Sequence, residues 1–153
     1  MRKLLRDFIK DETVTSRGMI FVAILIASAL LARAVGAVPG VMIYRDTGGL
    51  ISDYQNRYAT IRSTGERVII EGECTSACTI VLSLPRGQAC AMPNAVLGFH
   101  AGSDLRRPGE VSAVATKILA DIYPPNVRKW FYASAAHSLS IRYVRATRFL
   151  PKC

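Results

Sequence analysis

Apolar and polar positions along this chain repeat with two periods, and the switches between them mark out its elements. Residues 18–32 (GMIFVAILIASALLA) form one uncharged, mostly apolar run. The short apolar run 41–44 (VMIY) reads as a strand and ends at 45–49 (RDTGG), a glycine turn. Leu50, Ile51, Tyr54, Tyr58 and Ile61 then recur at the spacing of one helical face, with Gly65 where a C-terminal cap would close it. Residues 67–71 (RVIIE) are β-branched and predict a second strand. Residues 72–75 turn the chain into a helix opening near Ser76, with Ala77, Ile80, Val81 and Leu84 on its buried face and Pro85-Arg86-Gly87 as its stop. Two more strands are expected around 88–92 and 95–99, flanking Pro93-Asn94. A polar loop follows over 101–109, and Val111, Val114, Ala115, Ile118, Leu119 and Ile122 give the next helix. Tyr123-Pro124-Pro125 breaks the pattern before a last helix bearing Val127, Trp130 and Phe131. The order β-α-β-α-β-β-α-α predicts an α/β layer fold, its mostly parallel sheet joined by right-handed crossovers.

The run at 18–32 changes the picture most. Arg2, Lys3, Arg6, Lys10 and Arg17 precede it, and the small-residue patterns Ala32-Arg33-Ala34 and Val35-Gly36-Ala37 follow it. Positive charge, an apolar stretch shorter than the roughly 20 residues of a membrane span, and small residues make an export signal. The alternative is a retained anchor, since Asp7, Asp11 and Glu12 lie in a long leader and Arg33 could snorkel toward the interface. Either way residues 1–37 are a signal peptide or an N-terminal hydrophobic helix in the inner membrane, and 38–153 form the exported domain, in the periplasm or on the outer side of that membrane.

At 153 residues, with 50% apolar and 20% charged positions, the chain holds one folded domain and is neither disordered nor low in complexity. All four cysteines, Cys74, Cys78, Cys90 and Cys153, fall in the exported part, where an even number reads as disulfides with the pairing left open. A zinc site of three cysteines and His100 is the rival, but no CxxC knuckle is present, so neither metal nor cofactor is expected. The net charge of +9 is weighted toward the C-terminus, where Arg128, Lys129, Arg142, Arg145, Arg148 and Lys152 occur without an acid. Arg142, Arg145 and Arg148 stand at helical spacing without an aromatic stacking platform. That reads as a solvated cationic face, with attraction to anionic lipid as the alternative and no nucleic-acid partner expected. His137 reads as a surface histidine.

Candidate chemistry centres on 72–79 (GECTSACT). Ser76 follows a strand at the mouth of a helix, where free backbone N–H groups favour an oxyanion, although Ser is also an ordinary helix cap. His100 ends the strand AVLGFH and could be aimed at Ser76. Gly48 and Gly49 could offer N–H groups to a substrate carbonyl.

In the order strand-GG-helix, strand-GxCxSAC-helix, strand-PxAxLGFH, the chain resembles the ClpP/crotonase superfamily, and within it the periplasmic ClpP-like proteins of bacteria. The resemblance covers about residues 41–101 and implies pared-down ClpP/crotonase-like layers, since the β-α unit that precedes the GG strand in full-length relatives has no counterpart. It implies Ser76 as nucleophile, His100 as base, and Gly49 or Gly48 with Ala77 as oxyanion donors. Asp104 is then the nearest candidate for the third member of a triad, with Asp121 and Asp46 behind it. A Ser-His dyad is the other form. Cys74 and Cys78 would staple the serine turn, with Cys90 as one candidate partner. The implied function is a weak serine hydrolase acting by acyl transfer on a peptide or ester. The alternative is a catalytically inactive binding or assembly module, since crotonase-type folds often form homo-oligomers.

Overall fold

A computed structural model describes residues 40–153. The expected signal or anchor over 18–37 lies outside the described residues, among which no helix is long and apolar enough to cross a membrane. The described part is mixed α/β with a mostly parallel sheet. Strand β1 (Val41–Asp46) leads into helix α1 (Ile51–Thr64), strand β2 (Val68–Thr75) and a 3-10 segment (Ser76–Ser83). Strands β3 (Ala89–Ala91), β4 (Val96–Phe99), β5 (Ser103–Asp104) and β6 (Arg107–Val111) follow, then helices α2 (Ala113–Ile122) and α3 (Pro125–Ser134) and strand β7 (Arg142–Arg145).

The main sheet runs β1-β2-β4-β7, with β3 also paired to β2. Strand β2 is the spine: β1 lies parallel along one side, while β3 takes its first half and β4 its second half on the other, both parallel. Only β7 runs antiparallel, against β4. The sequence VIIEGECT explains this placement. Val68, Ile70 and Cys74 alternate inward and are fully buried, while the longest strand reaches both partners in turn. The β1 register shifts between Ile43 and Arg45, and Gly72 allows it, because a Cβ there would sit 2.0 Å from the Tyr44 carbonyl oxygen.

Under the sheet the 3-10 segment is buried from Ala77 to Leu82, a central element with no solvent face. Around it Phe99 gathers Tyr123, Trp130, Phe131 and Phe149 at centroid distances of 5.0 to 6.5 Å. Helix α1 ends at Gly65 in the left-handed conformation (φ 73°), as its glycine predicts.

Several expected details come out differently. The helix expected at Ser76 is wound as 3-10, and the polar loop 101–109 contains a hairpin, β5–β6. Helix α2 begins two residues later than Val111, which belongs to β6. Its face is also rotated. Thr116, Leu119 and Ala120 are buried, whereas Val114 is 72% exposed. The cause is Gly102, which packs so close to α2 that a Cβ would meet Ala115 Cβ at 2.5 Å and Thr116 N at 2.6 Å. Thr116 answers by accepting the Gly102 N–H and donating to the Ser112 carbonyl. Arg142 and Arg145 lie on a strand and Arg148 in a 3-10 turn, so their spacing is not that of a helix face.

Candidate active site

Strands β1, β2 and β4 are parallel neighbours, so their C-terminal ends open at one edge of the sheet. There β1 delivers the Gly48-Gly49 turn, β2 delivers Ser76 and β4 delivers His100. This is the edge at which open α/β sheets build their sites.

Ser76 has φ 56°, and it is the sole non-glycine residue with positive φ among the described residues. A left-handed serine between a parallel strand and a helix is a sharp elbow, held only where the surroundings over-determine it. Three observations account for the restraint. Thr79 donates its hydroxyl to the Ser76 carbonyl at 2.5 Å and therefore accepts from the Tyr123 hydroxyl at 2.6 Å. Cys74 and Cys78 close a disulfide across the elbow. Gly48, itself at φ 81°, presses against it so tightly that a Cβ would lie 2.6 Å from Ser76 Cβ and 2.8 Å from Ala77 N. Burial keeps the Tyr123 phenol protonated well above its ordinary range, so it remains a donor in this chain of bonds.

Ser76, His100, Gly49 and Ala77 all line one pocket of about 230 Å³. Leu50, Leu105 and Leu119 form apolar walls, and among the described residues no Asp, Glu, Lys or Arg lines it. Leu50, on the predicted buried face of α1, is 47% exposed just before the helix begins, and Leu105 comes from the β5–β6 hairpin, within a segment whose polarity predicts a loop.

The His100 Nδ1 lies 2.6 Å from the Ala101 carbonyl oxygen. A carbonyl only accepts, so Nδ1 carries the hydrogen and Nε2 is the basic nitrogen. The acids lie elsewhere. Asp104 accepts the Arg106 N–H at 2.9 Å and faces the Arg107 guanidinium at 3.3 Å. The Arg106 N–H above all, with the Arg107 charge, holds its carboxyl below the usual carboxylate range. Asp121 pairs with Lys117 at 2.5 Å. Asp46 accepts from Gly48 N–H, the Tyr54 hydroxyl and Arg57. The Gly48 N–H is thus taken, whereas that of Gly49 meets no backbone carbonyl among the described residues, and that of Ala77 lies in the first turn of the 3-10 segment, where helix geometry supplies no partner.

The four cysteines form Cys74–Cys78 and Cys90–Cys153 bonds, leaving no free thiol. The expected staple of the serine turn is therefore local, and Cys90 instead ties the C-terminus to β3. Both bonds fit an oxidising compartment. His137 is exposed, with Nε2 3.0 Å from the Tyr132 carbonyl oxygen.

Two contacts of the site lie outside the sequence expectations: the Ala101 carbonyl on His100 and the Asp46 carboxylate on the glycine turn. The Ala101 carbonyl could not be foreseen as a histidine partner, because backbone groups carry no side-chain signature. Asp46 had a legible signal, since Asp-x-Gly is the pattern of an Asp side chain bonding the N–H two residues on. No protein-family model matches the chain, and no curated protein matches it.

Proposed function

We propose that this chain is an exported serine hydrolase of the ClpP/crotonase type, working by acyl transfer on a peptide or ester. The observation that carries the reading is the left-handed Ser76 elbow in the same pocket as His100, Gly49 and Ala77. Ser76 Oγ attacks the acyl carbonyl while His100 Nε2 takes its proton. The developing oxyanion is held by the Gly49 and Ala77 N–H groups. The leaving group departs with the proton from His100, and water repeats the steps in reverse to free the enzyme. His100 is oriented by the Ala101 carbonyl rather than by a carboxylate, which fixes the tautomer but adds no charge to stabilise the imidazolium, so turnover is slow. Export by residues 18–37 places the domain in the periplasm, in keeping with the two disulfides.

The absence of a carboxylate bonded to His100 among the described residues favours a second reading, a binding or assembly module that keeps the fold. Reaction with a fluorophosphonate probe separates the two. The hydrolase reading expects covalent labelling of the wild type at Ser76 and none of Ser76→Ala. An unlabelled wild type leaves the binding module.

A further inference from the structure

Asp46 ends β1 with a carboxylate only 16% exposed, and the groups around it all bear on the glycine turn. Oδ1 accepts the Gly48 N–H at 2.9 Å and also the Tyr54 hydroxyl, while Oδ2 faces Arg57 Nη1 at 3.0 Å. Its own carbonyl oxygen lies 3.4 Å from Thr75 Oγ1, one residue before the serine elbow. Both ends of this residue are thus fastened, one to the turn it precedes and one to the strand that delivers Ser76.

Resting on the hydrolase reading, we propose that Asp46 is a positioning residue that holds the Gly48-Gly49 turn so that the Gly49 N–H is presented to the oxyanion. The turn has two successive N–H groups, and an oxyanion donor must be in place before charge develops. The Asp46 carboxylate takes the first of them. That fixes the peptide plane ahead of Gly48, and the contact of Gly48 with Ser76 and Ala77 leaves the glycine no room to re-aim. Gly49 lines the pocket, and its N–H is the donor of the turn that Asp46 leaves untaken. Tyr54 and Arg57 come from α1, so the helix that follows the turn also supports the carboxylate that shapes it. Burial first, and donation to Asp46 second, push the Tyr54 phenol up to about 12, so it stays a donor at any working pH.

This role needs an acceptor oxygen at Asp46 and not a charge, which separates it from a triad acid. The experiment compares full-length, oxidised wild type with Asp46→Asn, Asp46→Ala and Tyr54→Phe. It reads kcat and KM on an ester substrate and the rate of fluorophosphonate labelling. Asn keeps the oxygen for Gly48 and Tyr54, so its kcat stays within about threefold of wild type, because a part-exposed ion pair such as that to Arg57 contributes little. Ala lowers kcat by about a hundredfold with KM unchanged, the size of a lost oxyanion donor. Tyr54→Phe keeps the Gly48 bond and falls only severalfold. A triad acid would instead lose on the order of 10⁴ in the Asn variant. The proposal is overturned if Ala retains the wild-type kcat, or if Asn, folded by its thermal melt, is as impaired as Ala. A labelled wild type with an equally labelled Ala variant removes this proposal alone. A wild type that does not label at Ser76 removes the hydrolase reading and this with it.

Discussion

Replacing Ser76 by glycine should make the protein more stable than replacing it by alanine, although both changes delete the proposed nucleophile. At φ 56° the serine sits where a Cβ is crowded by the backbone, and alanine inherits that cost while glycine does not. A left-handed non-glycine residue costs about 1–2 kcal/mol. Glycine gives back roughly 0.5–1 kcal/mol through the greater freedom of its unfolded chain. The Gly variant should therefore exceed the Ala variant by about 0.5–1 kcal/mol, with wild type close to Ala because both carry the Cβ. Urea unfolding of the oxidised proteins is the assay. With a slope near 1.5 kcal/mol/M, typical for this size, the midpoints should differ by roughly 0.5 M. Comparing midpoints at a shared slope avoids the error of long extrapolation. If Ser76→Ala proved as stable as Ser76→Gly, the backbone would not be held against its preference. The elbow, on which the nucleophile assignment stands, would then lose its physical basis.

The two disulfides should differ in weight. Cys90–Cys153 spans 63 positions and Cys74–Cys78 spans four, so replacing each pair by alanine should cost about 4 and about 2 kcal/mol by loop-closure entropy, and calorimetry showing the reverse order would refute this. Gly102→Ala should destabilise by about 1–3 kcal/mol by overpacking against Ala115, and an unchanged melt would mean that α2 can yield at that contact. Alkaline titration tests the tyrosines. Tyr54, raised to about 12 by burial and by its bond to Asp46, favours the fold in its neutral form. Its contribution is fully present below pH 10, the ordinary phenol value, and is lost as pH rises through about 12. Phenolate absorbance should rise in an early phase and a late one, with Asp46→Ala moving Tyr54 toward the early phase, and a single phase near the ordinary value would contradict the burial of Tyr58 and Tyr123.

The elements that local pattern can specify were legible in the sequence. Val68, Ile70 and Cys74 alternate as a buried strand must, Gly65 closes α1, and Gly48-Gly49, Ser76 and His100 each follow a strand. Parallel pairing of those strands then brings the three strand ends to one edge, so the grouping of these residues was legible too. What pattern cannot carry is contact between segments distant along the chain. The pattern puts Val114, Ala115, Ile118, Leu119 and Ile122 on the inner face of helix α2, yet the contact with Gly102 turns that face toward Thr116 and Ala120, and a glycine's lack of bulk has meaning only where a second segment approaches. The pairing of Cys90 with Cys153 and the Leu105 wall of the pocket depend in the same way on the path of the chain in space. The acids near the site were readable only in part. Asp104, four residues from His100, turns to Arg106 and Arg107, while Asp46 takes the N–H of Gly48 two residues on and also meets Tyr54 and Arg57, 8 and 11 positions away. Hydrogen-bonding side chains take whichever donors the folded backbone sets within about 3 Å, and sequence distance does not measure that.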